Sequence, residues 1–250
     1  MLRKMRLNVL SYNIHKGFSP LGTRFSLPNI KQAVHALHAD IIFLQEVHGQ
    51  HHTHAQRIRN WPHESQFEYL ADTLWPHYAY GRNAVYDKGH HGNVILSKYP
   101  ITFHENIDIS AHWTEKRGLL HAIIQVEQGI EVHLICIHLG LLESFRKQQI
   151  NHLCTRIRSH VPQVCPLIVA GDFNDWRQWI SPVVQNQLAI NDVFILKHQK
   201  PALSFPSIYP VLALDRIYAR HFKVKSADTL SSKHWTTLSD HLPLYASLTL

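Results

Sequence analysis

Between Pro166 and Asp175 four consecutive apolar residues, Leu167-Ile168-Val169-Ala170, run into Gly171, and Asp172, Asn174 and Asp175 follow at once. An apolar run that starts after a proline and stops at a turn signal reads as a short buried strand. Gly171 lets the backbone turn, so an acid and an amide emerge together at the strand's end. Taken alone the stretch is equally well an ordinary strand exit, because Gly, Asp and Asn are the usual turn residues.

The rest of the chain repeats the theme. Residues 6 to 13 alternate in strand fashion and end at Asn13, ahead of the loop His15-Lys16-Gly17-Phe18. Pro28 suits a first helical turn, with Ile30, Ala33, Val34 and Leu37 at helical spacing. Ile41-Ile42-Phe43-Leu44 is then a strand that delivers Gln45 and Glu46. Short helices are expected near 54–60 and 66–74. The stretch from Gly81 to Asn93, rich in Gly and polar groups, reads as a long loop of the kind that is often functional. Strands follow at 94–97, 101–107, 119–126 and 130–137, the last ending at His138, with the polar loop Trp113 to Gly118 before the third. Residues 143–160 put Phe145, Gln149, Ile150, Leu153 and Ile157 on one face, with Arg146, Lys147, Arg156 and Arg158 mostly elsewhere. That is an amphipathic helix packed on a sheet. A helix near 182–188 and strands at 214–218 and 244–250 complete the pattern, and Ser239-Asp240-His241-Leu242-Pro243 leads into the last strand. There is no internal repeat, low-complexity tract or long linker, so the 250 residues read as one α/β domain over 1–250.

Composition narrows the setting. With 45% apolar and 17% charged residues the chain is ordinary for a globular protein. No apolar run approaches the roughly 20 residues that cross a bilayer. The first residues pass straight into strand alternation and not into a signal-peptide core, so a cytoplasmic location is expected; a monomer is expected as well. Cys136, Cys154 and Cys165 are an odd set without paired spacing and read as reduced thiols. A net charge of +7 favours a polyanionic partner, either nucleic acid or an anionic lipid surface. Histidine is abundant at 22 residues. The group His48, His51, His52 and His54 lacks ordered zinc spacing and reads as a solvated surface segment.

Strand ends, or the loops beside them, therefore carry Asn13, Glu46, Arg117, His138, Asp172 with Asn174, Asp215, and Asp240 with His241. Each has a plain structural explanation by itself. If the strands pack in layers with these ends on one rim, the groups converge on chemistry suited to phosphate-ester hydrolysis. A hard cation such as Mg²⁺ or Mn²⁺ takes one or two carboxylates and keeps several waters, a demand that Glu46 with Asp240 or Asn13 can meet. Asp172 can orient and deprotonate an attacking water. His241 paired with Asp215, and the donors Asn174, His138 and Arg117, can hold the developing charge. No serine or cysteine nucleophile with a base and an orienting group stands out, which favours direct attack by water.

These motifs together resemble the endonuclease/exonuclease/phosphatase superfamily, the deoxyribonuclease I-like fold. The resemblance is carried by Ser11-Tyr12-Asn13-Ile14, Leu44-Gln45-Glu46, Gly92-Asn93-Val94-Ile95-Leu96-Ser97, Ile137-His138-Leu139, Gly171-Asp172-Phe173-Asn174, Leu214-Asp215-Arg216-Ile217-Tyr218 and Ser239-Asp240-His241-Leu242-Pro243. It runs through nearly the whole chain. The segments His15-Lys16-Gly17-Phe18, Tyr80 to Tyr86 and Gly171 to Gln178 are similar to a bacterial branch, the YbhP-like proteins. The resemblance implies a four-layer α/β sandwich, in which two mixed, mostly antiparallel β-sheets pack face to face between helices with the site at their rims. It implies Glu46 as the main Mg²⁺ or Mn²⁺ ligand and Asp172 as the group that activates water. Asn13, Asn174 and His138 would contact metal or phosphate, and His241 would form a dyad with Asp215. Asp240 is left as either a metal ligand or a neighbour of one.

The substrate is less constrained, because this fold hosts many phosphoesterases. Ile137-His138-Leu139 departs from the Pro-Asn pair of the abasic-site endonucleases. The Trp- and Arg-rich surroundings that inositol-phosphate phosphatases use are not reproduced. A nucleic-acid phosphodiesterase would use Lys16, Arg24, Arg82, Lys88, Lys116 and Arg117 along a cleft, with Tyr80, Tyr86 and Trp113 to stack on bases. A phospholipid or sphingomyelin headgroup phosphodiesterase would present Trp176, Trp179 and Phe18 to a membrane. On either reading Arg117, Tyr80, Arg82, Asn93 and Trp176 are expected on the substrate side. A non-catalytic binding module is a third class; it predicts loss of the metal ligand, the water activator or the dyad, and none is missing.

Overall fold

Two strand-helix-strand units set the architecture. In the first, β1 (Arg6–Asn13) and β2 (Ile41–His51) are parallel neighbours joined through helix α1 (Leu27–Ala36). A hairpin of β3 (His77–Tyr86) and β4 (Gly89–Ser97) continues the sheet from β2. The second unit lies within β5 (Ile101–Asp108), β6 (Gly118–Gln125), β7 (Glu131–His138) and β8 (Leu167–Asp172), where β7 and β8 are parallel and joined by the long helix α4. Short helices α2 (His52–Arg57) and α3 (Gln66–Ala71) precede β3, and α4 spans Glu143–His160. The C-terminal third adds α5 (Ile180–Leu188), β9 (Asn191–Asp192), α6 (Val193–His198), β10 (Asp215–Arg220), β11 (Lys223–Thr229) and β12 (Leu244–Thr249). The computed structural model describes residues 5–250.

The strands form two sheets of six, ordered β11-β12-β1-β2-β4-β3 and β5-β6-β7-β8-β10-β9. Each sheet contains one parallel pair; its other pairings are antiparallel. A parallel pair needs a crossover, and both crossovers here are helices that cover the outer face. The inner faces meet in a shared core, where Leu7, Val9, Ile41 and Phe43 of one sheet pack with Leu134, Cys136, Ile168 and Ala170 of the other. The alternate residues Leu10, Tyr12, Ile42 and Leu44 lie under α1 and α3. Ile135, Ile137, Leu167 and Val169 lie under α4 and α5. Strands covered on both faces read as continuous apolar runs, as the stretch before Asp172 does.

Several elements differ from the sequence reading. The Gly81 to Asn93 stretch is not a loop: it is most of the β3–β4 hairpin. Its glycines serve close approach between strands, because a Cβ on Gly92 would collide with the Gly81 carbonyl. Strand β2 does not stop at Glu46 but continues to His51 through a bulge. His48 is buried, its ring against those of His51, His54, His91 and Trp61, so the histidine group is solvated only at its His52 end. Arg146 and Arg156 are buried on α4. The short β9 and the edge strand β11 carry no apolar run long enough to announce them, and the Val193-Phe194-Ile195-Leu196 run belongs to the short helix α6. Among the described residues no helix is long and apolar enough to cross a membrane.

Candidate active site

Both parallel pairs end at one rim. Asn13, the end of β1, stands opposite Gln45, where its pairing with β2 stops, and His138 stands opposite Asp172 at the end of β7 and β8. Strand β10 begins there too, with Asp215 paired to Asp172. The carboxyl ends of parallel strands leave side chains free of the ladder, which is why sites collect there. Gly171 makes the last step possible: its φ is +149°, and any Cβ would strike the Ile137 carbonyl of the neighbouring strand.

Asp172 is the centre of the arrangement and is buried. Its Oδ1 accepts the Asn174 N–H at 3.0 Å, and its Oδ2 accepts from Asn13 Nδ2 at 3.1 Å, which ties one sheet to the other. His138 Nε2 and His241 Nε2 face the same oxygen at 3.5 and 3.7 Å. Burial, and the nearby Asp215 charge, push Asp172 up to about 6 against the pull of His241. It is thus a stronger base than an exposed carboxylate and still ionised at neutral pH.

His241 Nδ1 lies 2.8 Å from Asp215 Oδ2, and the same oxygen accepts Ser204 Oγ at 2.5 Å. Burial opposes a charge on the ring, but Asp215 and Asp172 outweigh it and raise His241 to about 10. His241 is therefore an imidazolium with a carboxylate on each side. Ligand atoms of Asp172, Asp215 and His241 come within 4.8 Å of one another, a spacing that could hold a metal. Both ring nitrogens already face carboxylates, and the charged ring occupies the role a cation would take. His138 is the opposite case: burial, then Arg117 and His241, drive it well below the usual histidine range, so it is neutral.

Glu46 sits at the β2 bulge with φ +57°, where the register shifts between Leu44 and Val47. A bulge re-aims a side chain. Burial works against its ionisation, yet Lys16, His15 and His91 hold its carboxyl below the ordinary value. Lys16 Nζ is 3.6 Å away, an ion pair without a hydrogen bond. The oxygen donors expected with it are Asn13 Oδ1, which accepts the His15 N–H at 3.0 Å and keeps a second lone pair, and Asp240, 3.8 Å from His15 Nδ1. An ionised carboxylate with amide and carboxylate oxygens, and no thiolate, is a donor set for a hard cation.

A small cavity joins Glu46 and His138 with His91, Asn93, Lys116 and Arg117. Arg117 Nε is buried there without a hydrogen-bond partner, 3.8 Å from Glu115. Asn93 reaches the cavity, but its Nδ2 donates to the Gly118 carbonyl at 3.0 Å. Asn174 Nδ2 likewise donates to the Leu139 carbonyl at 2.9 Å. Of the remaining expected residues, Tyr80 and Arg82 stand apart from that cavity. Tyr80 stacks on Phe67, bonds His90 Nδ1 at 2.8 Å, and lines with Arg82 a separate cavity of about 690 Å³. Trp176 lies over the Arg146 guanidinium at 4.4 Å. Trp179 packs on the α4–α5 core, and Phe18 packs on Phe25 and His54.

Some contributors had no sequence signal. Ser204 reaches Asp215 from a loop before β10, and Phe205 packs its ring against His241. Ser239, which donates to the Asn13 carbonyl at 2.8 Å, stands next to Asp240 in a stretch whose acid and histidine drew attention first.

The chain matches the Endonuclease/Exonuclease/phosphatase family over residues 10–241. It is 44% identical over 249 residues to YbhP of Escherichia coli (strain K12), covering 99% of this chain and 98% of that protein. Its fold is similar to an endonuclease/exonuclease/phosphatase from Beutenbergia cavernae, with a TM-score of 0.74 at 21% identity over 99% of this chain and 72% of the other. It is also similar to D. rerio TDP2 complexed with single strand DNA product, with a TM-score of 0.73 at 19% identity over 98% of this chain and 99% of the other. Sequence, fold and rim agree: the chain belongs to the endonuclease/exonuclease/phosphatase family, a phosphoesterase superfamily.

Proposed function

We propose that this protein is a divalent-metal-dependent phosphodiesterase that hydrolyses its substrate by direct attack of water, working as a monomeric cytoplasmic enzyme built on one domain. The observation that carries the reading is Asp172, a buried carboxylate of raised basicity held by Asn13 and Asn174 and faced by an imidazolium. Glu46, with Asn13 and Asp240, would hold Mg²⁺ or Mn²⁺. When bound, such an ion neutralises phosphate charge and stabilises the leaving oxygen.

The chain's own groups do the rest. Asp172 Oδ2 takes a proton from water as its oxygen bonds to phosphorus and the bond to the leaving oxygen breaks. The His241 imidazolium, kept charged by Asp215, stands ready for the non-bridging oxygens, and Arg117 Nε and neutral His138 are further donors beside them. The Cys136 thiol does not compete, since burial pushes it up to about 12.

Bis-p-nitrophenyl phosphate with Mg²⁺ or Mn²⁺ tests the reaction class. Glu46→Gln and Asp172→Asn are each expected to remove turnover while the circular dichroism spectrum stays native. Undiminished turnover in Asp172→Asn sinks the mechanism.

For the substrate, the first reading is a nucleic acid or a related phosphodiester. It is supported by Lys16, Lys116 and Arg117 beside the acids and by the likeness to a TDP2 bound to a DNA product. A steep loss of binding with salt is its signature. The second reading, a lipid headgroup, is favoured by exposed apolar side chains on loops tied to the site, Leu141, Leu142 and Tyr209 among them.

A further inference from the structure

The loops around the catalytic rim carry large apolar side chains that the fold leaves uncovered. On one side, Leu21 is 82% exposed and Tyr209 76%. Leu21 and Ile208 line one cavity of about 480 Å³ together with Arg24 and Lys233. On the other side Leu141 and Leu142 are exposed, close to the end of β7, and share a cavity of about 430 Å³ with Lys116 and Arg117. Lys116 and Arg117 also line the small cavity that holds Glu46 and His138.

These tips are built and not frayed. The 205–212 loop is tied to the site by Ser204 on Asp215 and by the Ser207 N–H on the Asp240 carbonyl at 2.7 Å. The 19–24 loop is tied through His15, whose Nδ1 is 3.2 Å from the Ser19 carbonyl, and through Arg24 on the Thr237 carbonyl. The Leu139 N–H bonds the Asp172 carbonyl at 2.9 Å, so the Leu141 turn starts from the catalytic strand itself.

The turns also satisfy much of their own backbone. The Tyr209, Val211 and Leu212 N–H groups find carbonyls within their loop, and Gly22 N–H bonds the Ser19 carbonyl. The Gly140 and Leu141 carbonyls are taken by the buried guanidinium of Arg146, at 3.1 and 2.5 Å. A segment that satisfies its polar backbone internally can enter an apolar medium at small cost, and one that relies on water cannot.

We propose that this rim docks on an anionic phospholipid bilayer, with the Leu21/Tyr209 and Leu141/Leu142 tips at the acyl boundary and the catalytic opening facing the headgroups. Apolar tips tethered to a phosphate-directed opening whose border carries Lys116 and Arg117 match the layering of a bilayer, with hydrocarbon below and phosphodiesters at its surface. A nucleic acid offers phosphates and base faces but no hydrocarbon for exposed leucines. Arg24, Lys116 and Lys233 lie beside the tips, where a negative surface potential acts on them. Of the residues first read as a membrane edge, Trp179 packs on the α4–α5 core and Phe18 on Phe25 and His54, whereas Trp176 is exposed and lies over the Arg146 guanidinium that holds the Leu141 turn.

Co-sedimentation tests this without turnover, so its failure and failure of the phosphodiesterase reading are separate events. The full chain is mixed with vesicles of phosphatidylcholine alone or of equimolar phosphatidylcholine and phosphatidylglycerol. Binding is expected to the second and to weaken with salt. Leu21→Ser with Tyr209→Ser, and independently Leu141→Ser with Leu142→Ser, are each expected to weaken it about tenfold, while turnover of soluble bis-p-nitrophenyl phosphate stays at the parent level. Lys233→Gln is expected to cost roughly fivefold. Two pairs on separate loops guard against a local folding defect, and the soluble turnover reports one directly. Protein left in the supernatant with both vesicle types overturns the proposal, as does binding that both tip pairs leave unchanged. Retention by a single-stranded oligonucleotide with no vesicle binding overturns it in favour of a nucleic-acid surface.

Discussion

His241 Nδ1 and Asp215 Oδ2 are 2.8 Å apart in a fully buried pocket, and that single contact sets the electrostatics of the rim. Removing two charges from water is costly, and a buried pair is retained only where the geometry repays it. Here Asp215 does not neutralise His241 in isolation. It holds the ring so that the other nitrogen points to Asp172, 3.7 Å away. The base that activates water and the cation that meets the phosphate are thus one linked unit, with contributions from β8, β10 and the segment before β12.

Asp215→Asn is expected to keep the fold and lower turnover by about 10²- to 10⁴-fold, because the ring loses the charge that keeps it protonated. The sign of the pH effect on stability follows. His241 is raised above its unfolded value, so its contribution is fully present below pH 6.5 and is lost as pH rises through about 10. Chemical denaturation at neutral pH and near pH 10 reads this: the parent should lose stability on the order of a few kcal/mol, and Asp215→Asn should lose less. An equal loss in both proteins would detach the pair from the alkaline transition.

Gly171 offers a test of close packing at the rim. A Cβ there strikes the Ile137 carbonyl, whereas Gly22, also at positive φ, has open space around it. Gly171→Ala should cost about 3 kcal/mol and displace Asp172, against about 1 kcal/mol for Gly22→Ala from backbone strain alone. Urea denaturation compares the two directly. Equal costs would mean that conformation, and not the approach of β7, fixes the glycine.

Much of the rim was legible because apolar runs ended on its residues. Asn13, His138 and Asp172 close runs of buried alternation or continuous apolar sequence, and Asp215 opens one. The hidden parts each have a physical reason. Glycines in Gly81 to Asn93 looked like loop formers, but at Gly92 the missing Cβ lets two strands meet. The bulge at Glu46 leaves no mark in an apolar pattern that stops there and resumes at Val47. Arg146 was read as outward by its charge, yet its guanidinium is consumed by two carbonyls and a tryptophan face. The histidine group looked solvated by composition, because nothing local shows that Trp61 and Tyr86 cover it.

Buried His48 and, on β6, buried His121 make the fold sensitive to acid. Burial pushes His48 down to about 3 and His121 to about 3, so both are neutral in the folded chain and protonate readily only when it unfolds. Between the unfolded value of 6.5 and those folded values the unfolded state binds more protons, and stability falls as pH falls. Each group contributes roughly 1.4 kcal/mol per pH unit in that window. The urea midpoint should drop from pH 7 to pH 5, and His48→Gln should flatten the slope. An unchanged midpoint would show that these rings are not buried as neutral groups.

Arg117 is placed by a relay that can be cut without touching a charge-bearing catalytic group. Gln149 is buried on α4, accepts the Gly140 N–H at 2.8 Å and donates to Glu115 Oε2 at 2.7 Å; Glu115 Oε1 in turn is 3.8 Å from Arg117 Nε. Helix α4 therefore sets where the guanidinium stands over the cavity shared by Glu46 and His138. An interaction that positions a ground-state contact should act on KM more than on kcat. Gln149→Leu frees Glu115 to swing, and KM for a diester is expected to rise about tenfold with kcat within about threefold of the parent. Gln149→Glu instead sets two carboxylates against each other and should raise KM further. A fall in kcat at constant KM would assign Arg117 to the transition state alone, and no change in either would remove α4 from the positioning of the site.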